Sequence, residues 1–99
     1  MIKIYKGEKR LIGMSVHRRK DESFEIEEAT YKVVDRDNNT VDESDCSIKD
    51  NEVYFYIDSS LSNYQARKTY HAWFNVKIKD MPKVLIDKID FKILESYME

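Results

Sequence analysis

The 99 residues carry 36% charged side chains of both signs, with a net charge of -2 and a pI near 5.7. Leu, Ile, Val and Phe number 25, which with so small a net charge excludes a disordered chain. The length suits one domain with one core, and the acidic balance argues against nucleic acid as the main partner.

The opening stretch Met1-Ile2-Lys3-Ile4-Tyr5-Lys6-Gly7 alternates and lacks the apolar centre of a signal peptide. No apolar run approaches the roughly eighteen residues of a membrane span, so no membrane partner is expected. A single cysteine, Cys46, excludes an internal disulfide and fits synthesis in a reducing cytosol. Asn38-Asn39-Thr40 spells a glycosylation sequon, whose use is not expected without a secretory signal. The only glycines are Gly7 and Gly13. Gly-rich phosphate cradles are therefore absent, and Asp and Asn must make the turns.

In chain order, Ile2 and Ile4, with Lys6 following the same parity, mark a short first strand that ends at Gly7-Glu8-Lys9-Arg10. Leu11 to Val16 is a second extended segment, with Ile12, Met14 and Val16 in register. His17-Arg18-Arg19-Lys20 followed by Asp21-Glu22 reads first as a polar loop or charge-guarded edge strand; the alternative is an anion-binding patch. Ser23 to Asp35 is the longest strand candidate. Phe24 and Ile26 alternate on one parity, and Ala29, Tyr31 and Val33 on the other, so one extra residue near Glu27-Glu28 predicts a β-bulge or a crossing between sheets.

Asp35 to Thr40 is a strong turn, because Asn and Asp tolerate φ > 0 and bond their own backbone. Val41 to Ile48 resumes extended structure, and Lys49-Asp50-Asn51 turns again. Glu52 to Ile57 sets Val53, Phe55 and Ile57 on one face and Tyr54 and Tyr56 on the other. Asp58-Ser59-Ser60-Leu61 suits a capped helical turn, with Leu61 plugging the core. Thr69 to Lys79 alternates strictly, Tyr70, Ala72, Phe74, Val76 and Ile78 opposing His71, Trp73, Asn75, Lys77 and Lys79. Asp80-Met81-Pro82-Lys83 turns the chain into a last run, Val84 to Ile93. Helical spacing of Leu85, Ile89 and Ile93 competes there with β-branched content, which favours a strand. Its parity break between Val84-Ile86 and Ile89-Phe91-Ile93 predicts a second bulge.

Six to eight short strands joined by turns predict an all-β fold, an antiparallel β-sandwich or small barrel. The expected core holds Phe24, Ile26, Tyr31, Val33, Phe55, Ile57, Tyr70, Ala72, Phe74, Val76, Ile89 and Phe91.

Chemistry-bearing groups are sparse. Cys46 lies in the acidic segment Glu43-Ser44-Asp45-Cys46, which raises rather than activates a thiol; a small half-buried side chain is the simpler reading. The ten aspartates and nine glutamates are scattered or in turns, without metal-ligand or paired-carboxylate spacing. No catalytic, cofactor or metal residues are expected. Tyr54 and Tyr56 share one face, and Trp73 lies opposite Phe74. If exposed, these rings offer stacking platforms for a base, a sugar or a protein; sheet shielding or subunit packing is the alternative. Tyr54, Tyr56 and Trp73, with Arg18, Arg19 and Lys20, form the candidate interaction surface. Tyr70-His71-Ala72 opens a strand after an irregular corner, as does the corner tyrosine of immunoglobulin sandwiches. Ala72 takes the second cysteine's place, which rules out a disulfide-linked domain but leaves a cysteine-free relative open.

Three stretches carry a wider likeness. They are Phe24 to Asp35, the turn Asp37-Asn38-Asn39-Thr40-Val41, and Tyr70-His71-Ala72-Trp73-Phe74-Asn75-Val76-Lys77-Ile78. Over residues 23–93 the chain resembles the small immunoglobulin-like β-sandwich structural proteins of tailed bacteriophages and prophages. It departs from them in Asn39, where glycine is usual, and in an extra pair of N-terminal strands. One sandwich domain is expected over residues 1–99, with N-terminal strands and a basic loop over 1–22 and the sandwich core over 23–95. The resemblance implies a non-catalytic role in virion assembly or surface display, in particles assembled in the bacterial cytoplasm. Partners would be phage structural proteins or a second copy of the chain. The competing reading is a binding module for single-stranded nucleic acid or carbohydrate.

Overall fold

A computed structural model describes residues 1–16, 24–82 and 84–95. They form eight strands: β1 (Ile2–Tyr5), β2 (Lys9–Ser15), β3 (Ile26–Val34), β4 (Thr40–Asp45), β5 (Ser47–Lys49), β6 (Glu52–Asp58), β7 (Thr69–Ile78) and β8 (Val84–Leu94). A five-stranded sheet has the order β1-β8-β7-β3-β4, and a three-stranded sheet the order β2-β6-β5. The chain is all-β, with no helix among the described residues.

The alternating strands bury one face each, as a period of two requires. In β7, Tyr70, Ala72, Phe74, Val76 and Ile78 are buried; in β6, Val53, Phe55 and Ile57 are. The two faces meet through aromatic rings. Tyr31 stacks on Phe55 at 3.7 Å between centroids, and Phe55 tilts against Phe74 at 5.5 Å. At the other end of β7, Tyr70 stacks on Phe91 and meets Tyr64 edge-on, both at 5.5 Å. The Tyr70 hydroxyl accepts a 2.7 Å hydrogen bond from the Gln65 backbone N–H, five residues upstream. The corner before β7 is thereby tied to its first turn.

The bulge expected near Glu27-Glu28 is present, as a register shift between Ile26 and Glu28 against β7. Asp and Asn make most of the turns: Asn38, Asp50 and Asp80 have φ of 64°, 54° and 65°, while Gly7 and, unexpectedly, Arg67 take φ of 95° and 69°. Asp35 organises the first of these, its carboxylate accepting the N–H groups of Asp37 and Asn39.

Pairing is mostly antiparallel, as expected; the one parallel pair among the described residues, β1 with β8, has no counterpart in the sequence reading. β1 lies at one edge of the large sheet and β2 at one edge of the small sheet, and Ile4, Ile12 and Val16 are core. Several expectations fail, each for a physical reason. The run from Val41 to Ile48 divides at buried Cys46, whose amide donates to Ala29 O at 2.8 Å. There the chain leaves the large sheet for the small one. No bulge interrupts β8, which pairs with β7 without a shift from Val84 to Lys92. The parity break exists because Val84 and Ile86 point outward, Ile86 being 63% exposed. Phe24, Tyr31 and Ile89 lie at the core margin, partly buried.

Leu61 does not plug the core; it is 50% exposed, and Tyr64 takes that role at 1%. Residues 59–64 form successive turns rather than a helical turn. They are pinned to the N-terminus by the Lys6 amine, which donates to the carbonyls of Leu61 and Tyr64. The fully buried Ser59 hydroxyl adds to this, lying 2.7 Å from both Tyr5 O and Glu8 O. Among the described residues no buried side-chain polar atom lacks a partner.

Three partly exposed carboxyls are expected to lend the fold acid sensitivity. Asp35 is held below the ordinary 3.8 by the Asn39 amide and then that of Asp37, Asp58 by the Ser60 hydroxyl and amide, and Asp90 first by its hydrogen bond with His71. Folded values lower than unfolded ones give stability that is complete above about pH 4 and is lost as pH falls through the depressed values. A Tm series should therefore decline below about pH 4. An unchanged Tm down to pH 2 would contradict the assignment.

Candidate functional site

The small sheet turns its outer face to solvent through alternate residues of β6 and β2. Tyr56 is 52% exposed, Tyr54 half-buried, and Leu11, opposite Tyr56, 51% exposed. Gly13 sits opposite Tyr54. A Cβ there would lie 3.1 Å from both Tyr54 Cβ and Val53 O, so only glycine lets the two strands approach this closely without a shift. The result is a shallow concavity of about 450 Å³, lined by Leu11, Gly13, Ser15, Glu52, Tyr54 and Tyr56 among others. The Lys9 ammonium lies 5.4 Å from the Tyr56 ring centroid, a cation–π distance.

Trp73 belongs to a different surface. Its neighbours in β7 face the core while it points away, at 37% exposure. The two sheets pack face to face, so Trp73 and the tyrosine pair lie on opposite outsides of the molecule. The structure brings Tyr54 and Tyr56 together and separates both from Trp73. Arg18, Arg19 and Lys20, with His17, lie outside the described residues.

Around Trp73 the outer face of the large sheet mixes apolar and paired charged groups. Lys88 pairs with Trp73 in register, its ammonium 5.6 Å from the ring centroid, and Ile86 and Val84 continue the face. His71 Nδ1 lies 2.6 Å from Asp90 Oδ1, and Lys88 Nζ is 3.7 Å from the same oxygen. Lys77–Glu27 and Lys79–Glu25 contacts at 3.8 Å complete the pattern. Exposed pairs of this kind contribute little stability. They leave a solvated face with an apolar centre.

Sequence reasoning missed two features. The His71–Asp90 pair becomes visible only once β7 and β8 are in register, 19 positions apart. The second is a polar node at the sandwich margin. Tyr31 and Tyr64 both donate to Asp42 Oδ2, at 3.1 and 3.2 Å. Burial foremost, then the Asp42 charge, pushes the Tyr31 phenol up to about 12 and Tyr64 higher still. Both phenols stay protonated as donors.

Burial, then Asp45, pushes the Cys46 thiol up to about 11, the reverse of nucleophile activation. Cys46→Ser is expected to cost no more than about 1 kcal/mol and to leave any binding intact, as urea unfolding and a binding assay would show. Among the described residues no three His, Cys, Asp or Glu side chains gather to hold a metal ion. No helix there is long and apolar enough to cross a membrane.

Comparison with protein-family models, curated proteins and solved structures finds no match to this chain.

Proposed function

We propose that the chain is an immunoglobulin-like sandwich serving a tailed phage or prophage particle as a non-catalytic structural or accessory protein. It works through protein–protein contacts. Strand order supports the fold. In variable-type immunoglobulin domains, a sheet with strands C, F and G is widened by C′ and faces one with B, E and D. Taking β2 to β8 as B, C, C′, D, E, F and G reproduces both sheets in order, with β1 beside G. The Tyr70–Gln65 bond at the start of β7 supports the same assignment, since a corner tyrosine belongs on strand F.

The observation that carries the mode of action is uncovered apolar surface on both outsides of the sandwich. Leu11 and Tyr56 lie on one, and Trp73, Val84 and Ile86 on the other. Large exposed side chains in contiguous patches are characteristic of association surfaces. The phage setting rests on the resemblance of the three stretches quoted above. Its test is composition: mass spectrometry of purified particles from the bacterium carrying the gene should find this chain in stoichiometric amount. Its absence from every particle would overturn the setting.

The concavity beside Tyr54 and Tyr56 favours one second reading, a carbohydrate site. Tyrosines spaced by two on one strand offer adjacent stacking surfaces, and Glu52 and Ser15 offer partners for hydroxyls. The Glu52 carboxylate disfavours a phosphate backbone there. Oligosaccharide titration followed by NMR should shift Tyr54 and Tyr56 resonances if this reading holds. Salt-sensitive binding of oligothymidine would point to nucleic acid instead.

A further inference from the structure

Cations gather on the outer side of β1 and β8. Lys3 stands directly opposite Lys92 in the parallel ladder, and Lys88 lies four positions further back along β8. Lys3 and Lys92, with Arg67 and the buried Leu94, line a hollow of about 340 Å³. Arg67 reaches it from the corner before β7, on a backbone at φ 69°, a left-handed conformation that a non-glycine residue takes at a cost. Two carboxylates share this strip, and both are engaged. Glu95 pairs with Arg67 at 2.8 Å; Asp90 pairs with His71 at 2.6 Å, and Lys88 stands 3.7 Å from the same oxygen. Among the described residues no carboxylate pairs with Lys3 or Lys92. Like charges directly opposite each other weaken a sheet, so the fold gains nothing from this pair.

We infer that this strip binds an acidic segment of a partner protein, with carboxylates over the lysines and an apolar side chain against Trp73. This rests on the protein-contact reading above and names the chemistry of the partner. Trp73 is in register with Lys88, and the exposed Ile86 lies beyond it, so cationic and apolar surface are contiguous. Charge on the rest of the sheet narrows the choice. Across β7, strands β3 and β4 carry Glu27, Glu43 and Asp45 at exposed positions. A long polyanion crossing the sheet meets repulsion there. Lys88 and Lys92 are about 13 Å apart along the strand, with Asp90 between them. That spacing suits two carboxylates four residues apart in an extended chain, whereas Asp90 repels the intervening phosphates of a nucleic acid.

Trp73 is the only tryptophan, so its emission reports on this face alone. The full chain is titrated with the end-blocked peptide Glu-Thr-Leu-Thr-Glu, with Lys-Thr-Leu-Thr-Lys, and with oligothymidine. The glutamate peptide is expected to shift Trp73 emission and to bind less tightly as salt rises. Lys92→Glu should weaken it about fivefold, since one exposed attraction is replaced by a repulsion of similar size. Tm should hold or rise, because Lys3 then faces a carboxylate. Lys3→Glu, at an exposed position, makes the same exchange from β1 and should act alike. No emission change at millimolar glutamate peptide, an equal response to the lysine peptide, or unchanged affinity in both variants overturns the inference and leaves docking through Leu11 and Tyr56 intact. Tighter binding of oligothymidine than of the glutamate peptide overturns it in favour of nucleic acid.

Discussion

Phe74→Ala should destabilise the protein by about 3–5 kcal/mol, the range for truncating a fully buried aromatic. Phe74 is inaccessible to solvent, lies in β7 between β3 and β8, and meets Phe55 of the opposing sheet. Removing it opens a void beneath the Tyr31–Phe55 stack. Both partners are held on sheets whose backbone ladders restrain collapse, so little of the lost contact returns. Against a total stability of roughly 5–15 kcal/mol, this is a large fraction of what holds the fold. Urea titration would show a lowered midpoint with an unchanged slope. A loss below about 1 kcal/mol would mean that the two sheets do not share this core.

Asp42→Ala should cost about 2–4 kcal/mol, more than its surface position suggests, since two phenols lose their acceptor at once. Asp42 lies on edge strand β4, opposite Val33 in the ladder. Its Oδ2 accepts from both Tyr64 and Tyr31. The Tyr64 side chain is almost fully buried, so its hydroxyl has no ready water to turn to. Tyr64→Phe deletes the donor rather than stranding it, and should cost only about 1 kcal/mol. The double variant Asp42→Ala/Tyr64→Phe should therefore be more stable than Asp42→Ala alone. Additive losses in that cycle would show that the two residues do not interact.

What was legible in the sequence follows from what a strand exposes locally. Strict alternation in β6 and β7 requires one buried face, so Phe55, Ile57, Phe74 and Val76 could be assigned to the core from pattern alone. The bulge near Glu27-Glu28 was legible because Ile26 before it and Ala29 and Val33 after it are all buried. The same logic failed in β8, where Val84 and Ile86 break parity by being exposed, not by an extra residue. Pattern cannot distinguish an apolar side chain turned outward from a shifted strand. The parallel β1–β8 pair escaped for a different reason, since it joins the two ends of the described chain and no turn announces it.

Tyr64 was hidden because it lies in a segment without period, 58–68, where burial comes from long-range ties rather than from local alternation. The Lys6 and Ser59 bonds that fold this segment back span more than fifty positions. The candidate surface was half legible. Tyr54 and Tyr56 were recognisable as an outward pair, but the contribution of Leu11 and Gly13 depends on the β2–β6 register. That Trp73 belongs to the opposite outside follows only from the two-sheet packing.

The claim that this sandwich acts by docking its outer faces onto other proteins is tested most directly by counting copies per particle. Tyr56→Ser and Trp73→Ser alter one outer face each, at exposed positions where the fold should tolerate the change. The account predicts that wild type is present at a fixed copy number and that at least one substitution lowers it several-fold without lowering Tm. Wild-type copy number in both variants would contradict it.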